Sequence, residues 1–231
     1  MASGKATTVR ARVREEMTNE IKIVARQHLG VEGANLSLRA VAREMGMASS
    51  ALYRYFASRD DLLTALIVDA YNSFGEAAEN ADDENVQPAQ RWIAVAKALR
   101  QWALNHPHEY ALIFGSPVPG YKAPQDTIGP ATRTVKVLGR ILAANPPISR
   151  PGDEIELPPT LEQPISNIAE MIQAGALSTP AMARALAAWM HILGSISFEL
   201  FGQLNNTIER REEWFEYQTR VMTQLIGLKS E

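Results

Sequence analysis

The sequence contains no cysteine. This absence excludes disulfide bonds, thiolate metal sites and cysteine nucleophiles, and it fits a reducing cytoplasm. Membrane-spanning runs are lacking as well. The longest candidate lies between Arg184 and Glu199, has 14 residues and contains His191. Because a membrane span needs about 20 residues, we interpret this run as a buried helix.

Catalytic signatures are also absent. The sequence has no Gly-x-Ser-x-Gly, no phosphate-binding glycine loop and no His-Glu-x-x-His. Residues 106–109 read His-Pro-His-Glu, but two histidines on either side of a proline, without further ligands nearby, are a poor metal site. We therefore expect no enzymatic activity, no cofactor and no metal.

The net charge of −3 is unevenly distributed along the chain. Residues 1–60 contain 10 Lys and Arg against 6 Asp and Glu, whereas the remainder contains 13 against 20. Four basic residues, Lys5, Arg10, Arg12 and Arg14, precede the first acidic one. This asymmetry indicates that the N-terminal part meets a polyanion. Residues 1–9 are expected to form a disordered tail, without the apolar segment of a secretory signal.

Helical periodicity runs along nearly the whole chain and predicts an all-α fold. The first helix is expected to pass through Val13 and Ile21 and to end at Gly30. Ser37 and Ser58 are expected to cap later helices. Those helices are predicted over about 38–45, 48–56, 59–74, 92–102, 107–114, 126–144, 161–175, 179–203 and 207–225. The proline-rich segment 145–159 is predicted to be a loop.

The two short helices over 37–45 and 48–56 are joined by a turn that contains Gly46. This is a helix-turn-helix arrangement, in which the second helix enters the major groove of DNA. Leu52 and Phe56 form an i,i+4 pair that faces inward, which leaves the other side of the second helix outward. The expected three-helix core consists of Ile21, Val24, Leu38, Val41, Leu52 and Phe56.

The stretch "LSLRAVAREMGMASSALYRYFASRDDLLTALI" resembles the DNA-binding domain of TetR-family repressors. Their pattern runs T-x-R-x-I-A, five residues, G-V-S-x-x-x-L-Y-x-x-F, then x-x-K-x-x-L, and the resemblance covers about residues 10–67. Met47 replaces the usual valine, and Ala48 replaces the usual capping serine. Either Ser49 takes over the cap, or a DNA phosphate satisfies the free N–H groups of the helix.

The resemblance implies DNA-binding roles for seven residues. They are Arg39, Ser49, Ser50, Tyr53, Arg54, Tyr55 and Arg59. Tyr53 and Arg59 match positions that hold backbone phosphates, and the others match positions that face base edges or flanking phosphates. Which of the arginines read bases and which hold phosphates stays open.

The resemblance also implies a helical ligand-binding and dimerisation domain over residues 61–231, after a DNA-binding domain over residues 1–60. The segment "WMHILGSISFEL" is similar to the C-terminal domain of a subgroup named for a Trp-His-Gly motif. Trp189 and Gly194 match that motif, whereas Leu193 stands where the histidine is expected.

Large side chains on the predicted C-terminal helices could line a cavity for a hydrophobic or aromatic molecule. The candidates are Trp92, Leu99, Trp102, Tyr110, Phe114, Met171 and His191. Ordinary core packing is the alternative for each of them, and a lone histidine on an apolar helix is more often a core residue.

The helix "ARALAAWMHILGSISFELF" is apolar nearly all round, which predicts burial against its own domain and against a partner. Pairing with the preceding helix would give a four-helix interface between two protomers. The candidate interface residues are Ile165, Ile168, Ile172, Trp189, Ile192, Ile196 and Leu200.

Taken together, these features predict a cytoplasmic, homodimeric transcriptional regulator. It would be a repressor of a near-palindromic DNA operator, released by a small hydrophobic or aromatic effector. The alternative is a helical ligand-binding or scaffold protein that has lost DNA binding.

Overall fold

The computed structural model describes residues 9–32, 36–144, 155–175 and 177–228. Within these ranges the secondary structure consists of ten α-helices and a short 3-10 helix at Gln125–Thr127, without strands. The prediction of an all-α fold is confirmed. The helices are α1 (Val9–Glu32), α2 (Leu38–Glu44), α3 (Ser49–Leu52), α4 (Arg59–Ala81), α5 (Pro88–Asn105), α6 (Pro107–Phe114), α7 (Ile128–Ala144), α8 (Pro159–Met171), α9 (Thr179–Leu200) and α10 (Arg211–Ile226).

The chain divides into two compact units. The first runs through Ala70 and includes the segment His108–Thr127. The second comprises Tyr71–Pro107 and the residues from Ile128 onward. The predicted domain boundary after residue 60 thus falls at the start of α4, whose first twelve residues belong to the first unit.

In the first unit, α1 packs on α2 and α2 packs on α3. The predicted three-helix core is confirmed. Ile21, Val41 and Leu52 are fully buried, Leu38 and Phe56 nearly so, and Val24 is partly buried against the same cluster. Full burial of one such side chain contributes about 1.5–3 kcal/mol.

The helix boundaries follow local chemistry in most places. The Oγ of Ser58 accepts a hydrogen bond of 3.0 Å from the N–H of Asp61, which caps α4 as predicted. Ser37 occupies the N-cap of α2 but makes no side-chain capping bond. The prediction that Gly30 ends the first helix is wrong, because α1 continues to Glu32.

In the second unit, α5 packs against α7, α9 and α10, and α8 packs against α9. By length and composition α9 is apolar enough to cross a membrane. Its contacts with α5, α8 and α10 bury one part of its apolar surface, including Ile192 and Ile196. The predicted tail residues 1–8 and the predicted loop residues 145–154 lie outside the described residues.

Buried ion pairs hold α5 within the second unit. The Nε and Nη2 of Arg91 donate to the two carboxylate oxygens of Asp82 at 2.7 and 3.0 Å. The hydrogen bonds that Arg91 donates to this carboxylate raise the pKa of Arg91. Arg100 makes a similar bidentate ion pair with Glu199 on α9, in which both N–O distances are 2.7 Å. Paired geometry of this kind offsets the cost of removing two charges from water.

Candidate functional site

The turn between α2 and α3 depends on one left-handed residue. Gly46 has a φ of +64°, a conformation that glycine adopts without steric cost. An added Cβ would meet no atom within 4 Å, so glycine is favoured here by the backbone and not by crowding. The N–H of Met47 donates to the carbonyl of Ala42 at 2.8 Å and closes the turn.

Helix α3 is shorter than the predicted helix over 48–56, because only Ser49–Leu52 is α-helical. The N–H groups of Tyr55 and Phe56 both donate to the carbonyl of Leu52, at 2.9 and 3.2 Å, and form a turn. So short a helix has little stability of its own. Its position therefore depends on the burial of Leu52 and Phe56 in the core of the unit.

Helix α3 also begins without a side-chain cap. Ala48 occupies the N-cap position in an extended conformation, with φ −64° and ψ 136°. Ser49 is the first helical residue, so the alternative in which Ser49 is the cap is wrong. The usual serine at this position would accept a hydrogen bond that the alanine cannot accept.

The seven residues predicted to bind DNA all lie in the first unit, where they differ in exposure. Arg39, Ser50, Tyr53 and Arg54 are exposed, whereas Ser49, Tyr55 and Arg59 are half-buried. Tyr53 exposes 46% of its surface, which is high for a large aromatic side chain that core packing would otherwise bury. The exposed members present guanidinium, hydroxyl and phenol groups to solvent.

Three of the seven line one concave surface, which we call the α2–α4 groove. It is formed by Arg39, Tyr53 and Arg59 together with Ser37 and Ser58, among others. Two guanidinium groups and three hydroxyl groups give this groove a positive charge and many hydrogen-bond donors. Such a surface suits phosphate oxygens, which accept hydrogen bonds and carry negative charge.

Arg59 is held in place at the edge of this groove. Its Nε donates to the carbonyl of Leu36 at 3.1 Å. Its Nη1 lies 3.6 Å from the carboxylate of Asp60. These contacts fix the guanidinium at the beginning of α4, beside the segment that leads into α2.

Arg14, which the sequence marked only as one of four basic residues near the N-terminus, contacts the turn that follows α3. It lies on α1, where its Nη2 donates to the carbonyl of Arg54 at 3.0 Å. The same guanidinium lies 5.4 Å from the centroid of the Tyr55 ring. The partners are 40 residues apart in sequence, so no local spacing signals the contact.

The segment His108–Thr127 packs on the first unit although it is distant in sequence. The hydroxyls of Thr64 and Tyr121 are hydrogen-bonded at 2.9 Å. Arg26 on α1 lies 3.6 Å from the carboxylate of Glu109. This segment therefore covers the helix-turn-helix core, although the helix-turn-helix sequence motif does not predict it.

The second unit contains a cavity of about 240 Å³ between α5, α7, α8 and α9. It is lined by Trp92 from α5, by Val135, Leu138, Gly139 and Leu142 from α7, by Ile168, Met171 and Ile172 at the end of α8, and by Met182, Ala185, Leu186 and Trp189 from α9. None of the described residues that line it is ionisable. The cavity therefore suits an apolar molecule.

The predicted pocket residues are not all brought together. Trp92 and Met171 line the cavity, whereas Leu99, Trp102, Tyr110, Phe114 and His191 do not. Leu99 and Trp102 are buried elsewhere in the second unit, where the Nε1 of Trp102 donates to the Oγ of Ser73 at 2.8 Å. Tyr110 and Phe114 belong to the first unit, with ring centroids 5.1 Å apart.

His191 lies on an exposed groove between α9 and α10. The Oε1 of Gln218 lies 2.9 Å from the His191 Nε2 and accepts a hydrogen bond of 2.9 Å from the Oγ of Ser195. Phe198 and Trp214 line the same groove. His191 is thus a surface residue of α9 rather than a polar group inside the apolar cavity.

Most of the predicted dimer residues are not available to a partner. Ile165, Ile172, Ile192 and Ile196 are buried inside the protomer. The helices α8 and α9 turn these side chains toward their own unit, so they cannot contact a second chain in this fold. Ile168, Trp189 and Leu200 are half-buried, and the first two line the cavity.

Other apolar side chains on α9 and α10 are exposed instead. Met190 and Phe198 on α9 are 62% and 56% exposed, and Tyr217 on α10 is 59% exposed. Val221 and Leu225, also on α10, are exposed as well. We call these five residues the α9–α10 face. The sequence could not show which side of α9 is buried in the protomer, because the helix is apolar nearly all round.

Within the described ranges, no group of three or more His, Asp and Glu side chains is arranged to hold a metal ion.

Family comparisons match both parts of the chain. A family model described as bacterial regulatory proteins of the tetR family matches residues 24–66. A second, described as a tetracyclin repressor-like C-terminal domain, matches residues 92–222. The assignment to the Trp-His-Gly subgroup stays a prediction.

Individual proteins are similar over nearly the full length. The HTH-type transcriptional regulators Rv1816 of Mycobacterium tuberculosis (strain ATCC 25618 / H37Rv) and Mb1846 of Mycobacterium bovis are 38% identical to this chain over 225 residues. The match covers 93% of this chain and 94% of each relative.

Solved structures share the fold. The regulatory protein SCO4313 has 34% sequence identity and a TM-score of 0.75, with 94% of this chain and 100% of that chain covered. A bacterial regulatory protein of the tetR family from Rhodococcus RHA1 has a TM-score of 0.62 at 15% identity, with 92% and 98% covered. At that identity the second likeness shows the fold alone.

Proposed function

The chain belongs to the tetR family of helix-turn-helix transcriptional regulators, and we propose that it is a dimeric repressor that a small apolar effector releases from its operator. The observation that carries this proposal is the α2–α4 groove, where Arg39, Tyr53 and Arg59 converge on one concave surface. The names of the relatives describe regulators, and we propose that the protein is not an enzyme.

Phosphate contacts position the protein on the duplex. The phenol of Tyr53 and the anchored guanidinium of Arg59 are suited to hold backbone phosphates, because both donate hydrogen bonds from a fixed surface. The hydrogen bond from the Arg59 Nε to the carbonyl of Leu36 fixes this positive charge at the edge of the groove, where it attracts phosphate. Affinity should therefore fall as salt concentration rises.

Base contacts supply the specificity. Ser49 and Ser50 stand at the start of α3 with short hydroxyl side chains, and Arg54 is exposed just beyond its end. Arg39 is exposed on α2. A guanidinium can donate to both O6 and N7 of guanine, which contributes about 1–3 kcal/mol of discrimination.

The α9–α10 face is the proposed dimer interface. Members of the tetR family act as dimers, and large apolar side chains this exposed would otherwise face water. Packing two copies of Phe198 and Tyr217 against each other across a two-fold axis would cover them. A two-fold dimer presents two copies of α3 to a near-palindromic operator, in half-sites separated by about one helical turn or a multiple of it.

The cavity in the second unit is the proposed effector site. Its lining is apolar and its volume is near the lower end of ligand pockets, which is about 300 Å³. Release requires that the effector bind more tightly to the conformation that does not bind DNA. Operator DNA and effector would meet the protein in the cytoplasm.

Operator binding is tested with labelled DNA from the promoter beside the protein's own gene and with a pool selected from a random library. We expect salt-dependent binding by the wild type, and at least tenfold weaker binding by Tyr53→Ala and by Arg54→Ala. Arg210→Ala is the matched control, because Arg210 is an exposed arginine outside the first unit whose side chain pairs with Glu213.

The repressor proposal fails if neither DNA binds at moderate salt, or if the Tyr53 and Arg54 variants bind like Arg210→Ala. Absence of binding would favour a helical ligand-binding protein that has lost its DNA surface. The repressor role itself is tested by reporter transcription, which should rise when the gene for this protein is deleted.

A further inference from the structure

Helix α8 is the wall of the cavity that is least anchored in the second unit. Two of its thirteen residues, Ile165 and Ala169, are buried, whereas α5, α7 and α9 have eight, six and seven buried residues. Residues 159–164 are all exposed, so the first half of the helix gains little from burial. A helix with so little buried surface moves more easily than its neighbours.

A proline weakens the same helix from within. Pro164 lies inside α8 and has no N–H, so the helical hydrogen bond to the carbonyl of Thr160 cannot form. The first turns of α8 are therefore held by fewer hydrogen bonds than those of a helix without an internal proline.

The other end of α8 is followed by a residue in a strained conformation. Gln173 has a φ of +63°, in the left-handed region that costs a residue with a side chain about 1–2 kcal/mol. The N–H of Ala174 donates to the carbonyl of Ala169 at 2.7 Å and closes the helix end around Gln173. Rotation of the Gln173 backbone would relieve the strain and swing α8, so this residue is suited to be a hinge.

The mouth of the cavity lies at the same end of α8. Ile168, Met171 and Ile172 line the cavity. Among the described lining residues, Met171 alone is exposed, at 49%, and the others are buried or half-buried. A molecule that enters the cavity therefore passes Met171 and the end of α8.

The end of α8 closes directly on the backbone of α7. An added Cβ at Gly139 would lie 2.8 Å from the carbonyl oxygen of Ile172, so any larger residue would push the two helices apart. Gly129, on the same helix α7, meets no atom within 4 Å. Of these two glycines, Gly139 is thus the one that lets α8 close.

We propose that α8 is a lid over the cavity, hinged at Gln173, and that its opening admits and releases the effector. Opening separates Ile172 from Gly139 and moves Ile168 and Met171 away from the cavity. The role of the lid rests on the proposed function, since it takes the cavity to be the effector site. The opening itself is tested without an effector.

Opening is measured by thiol labelling, because the chain has no cysteine of its own. Ala185→Cys places one thiol in the cavity, at a position that is 3% exposed. Ala103→Cys places a thiol on α5, at a position that is 0% exposed and does not line the cavity. A buried thiol reacts only when the structure around it opens. Each full-length protein is treated with methyl methanethiosulfonate, and the modification is followed by mass spectrometry.

We expect Ala185→Cys to be labelled about tenfold faster than Ala103→Cys, because lid opening exposes the first thiol and only wider unfolding exposes the second. Adding Gly139→Ala to Ala185→Cys should raise its labelling rate about fivefold, because the new methyl group pushes the end of α8 away from α7. Adding Gly129→Ala is the matched control and should leave the rate unchanged. Gly139→Ala should also leave the labelling of Ala103→Cys unchanged, which separates lid opening from a general loss of stability.

A disulfide between α8 and α9 tests whether a ligand passes the lid. The Oγ of Ser166 and the Oγ1 of Thr179 lie 3.5 Å apart, so Ser166→Cys combined with Thr179→Cys is placed to form a disulfide. The probe is 1-aminonaphthalene, which is neutral and apolar and whose fluorescence reports its surroundings. We expect oxidation to slow its association and its dissociation about tenfold, and reduction to restore both rates. Ser166→Cys alone is the control and should show no such effect.

The lid is contradicted if Ala185→Cys and Ala103→Cys are labelled at the same slow rate, or if Gly139→Ala acts no differently from Gly129→Ala. It is also contradicted if Ala185→Cys reacts as fast as a fully exposed thiol, because the cavity would then be open without a lid. Equal probe kinetics in the oxidised and reduced proteins would contradict it as well. The comparison of Ala185→Cys with Ala103→Cys remains decisive even if Gly139→Ala does not fold.

Failure of the proposed function gives a different pattern. If the labelling results are as expected but 1-aminonaphthalene does not bind, or binds and leaves the operator complex intact, α8 still opens. Such a result would count against the cavity as the effector site and not against the movement of α8.

Discussion

The guanidinium of Arg14 holds the turn that follows α3 by two contacts at once. Its Nη2 donates to the main-chain carbonyl of Arg54 at 3.0 Å, and its Cζ lies 5.4 Å from the centroid of the Tyr55 ring. Helix α3 has only four residues, so the turn needs such external support. Arg14 thus acts as a positioning residue for a surface whose proposed DNA contacts are made by others.

Replacing Arg14 by alanine should weaken operator binding about fivefold. The variant loses the hydrogen bond and a cation–π contact, which contributes about 0.5–1 kcal/mol at an exposed site. Binding is measured by fluorescence anisotropy at two salt concentrations. Arg12→Ala is the matched control, because Arg12 is on the same helix and its side chain pairs with Glu16. Equal losses in the two variants would mean that Arg14 acts through its charge alone.

Replacing Arg39 by alanine should weaken operator binding at least tenfold and relax the preference for the operator over unrelated DNA. Arg39 lines the α2–α4 groove. Arg43→Ala is the control, because Arg43 is exposed on the same helix but does not line that groove. Competition binding with unrelated DNA separates the two effects. If Arg39→Ala lowers both affinities by the same factor, Arg39 holds phosphate and does not read bases.

The parts of the site that sequence could predict are those fixed by local chemistry. The left-handed Gly46 and the cap at Ser58 follow from the conformational freedom of glycine and from a side-chain oxygen near free N–H groups. The buried positions of Leu52 and Phe56 follow from helical spacing. Each of these depends on neighbours within a few residues.

Contacts between segments that are far apart in sequence could not be predicted from the sequence. Helix α1 continues through Gly30, where an added Cβ would come within 2.9 Å of the His108 ring. The close approach of the His108 ring, and not the end of a helix, thus explains why residue 30 is a glycine. Likewise Ile192 and Ile196 share an apolar helix with Phe198, and only the positions of α5, α8 and α10 decide which are buried.

If the protein dimerises through the α9–α10 face as proposed, replacing Phe198 by glutamate should give a monomer and weaken operator binding more than tenfold. A charge in the centre of an apolar interface has no partner there and loses its hydration. Sedimentation velocity measures the state of association. Ile128→Glu is the matched control, because Ile128 and Phe198 are both 56% exposed and Ile128 lies at the start of α7. A Phe198→Glu protein that stays dimeric would contradict the α9–α10 interface.

Replacing Asp82 by asparagine should lower the free energy of unfolding by about 3 kcal/mol. The side chains of Asp82 and Arg91 are only 4% and 6% exposed, and removal of one member of a buried pair leaves the other charge uncompensated. Urea denaturation at fixed protein concentration measures the change. Asp83→Asn is the control, because Asp83 is exposed and caps a local turn at Asn85. If the free energy of unfolding falls by the same small amount in both variants, the buried ion pair contributes little to stability.

Replacing Ala48 by serine should stabilise the helix-turn-helix by about 1 kcal/mol. The alanine already has the extended conformation of an N-cap residue, so a serine there can accept a hydrogen bond from the N–H of Ser50 or Ala51 without a change of backbone. Hydrogen exchange of the α3 amides should slow about fivefold, which corresponds to that free energy. Ala57→Ser, at an exposed position before α4, should have no such effect. Unchanged exchange in Ala48→Ser would mean that fraying of this four-residue helix, and not its missing cap, limits its stability.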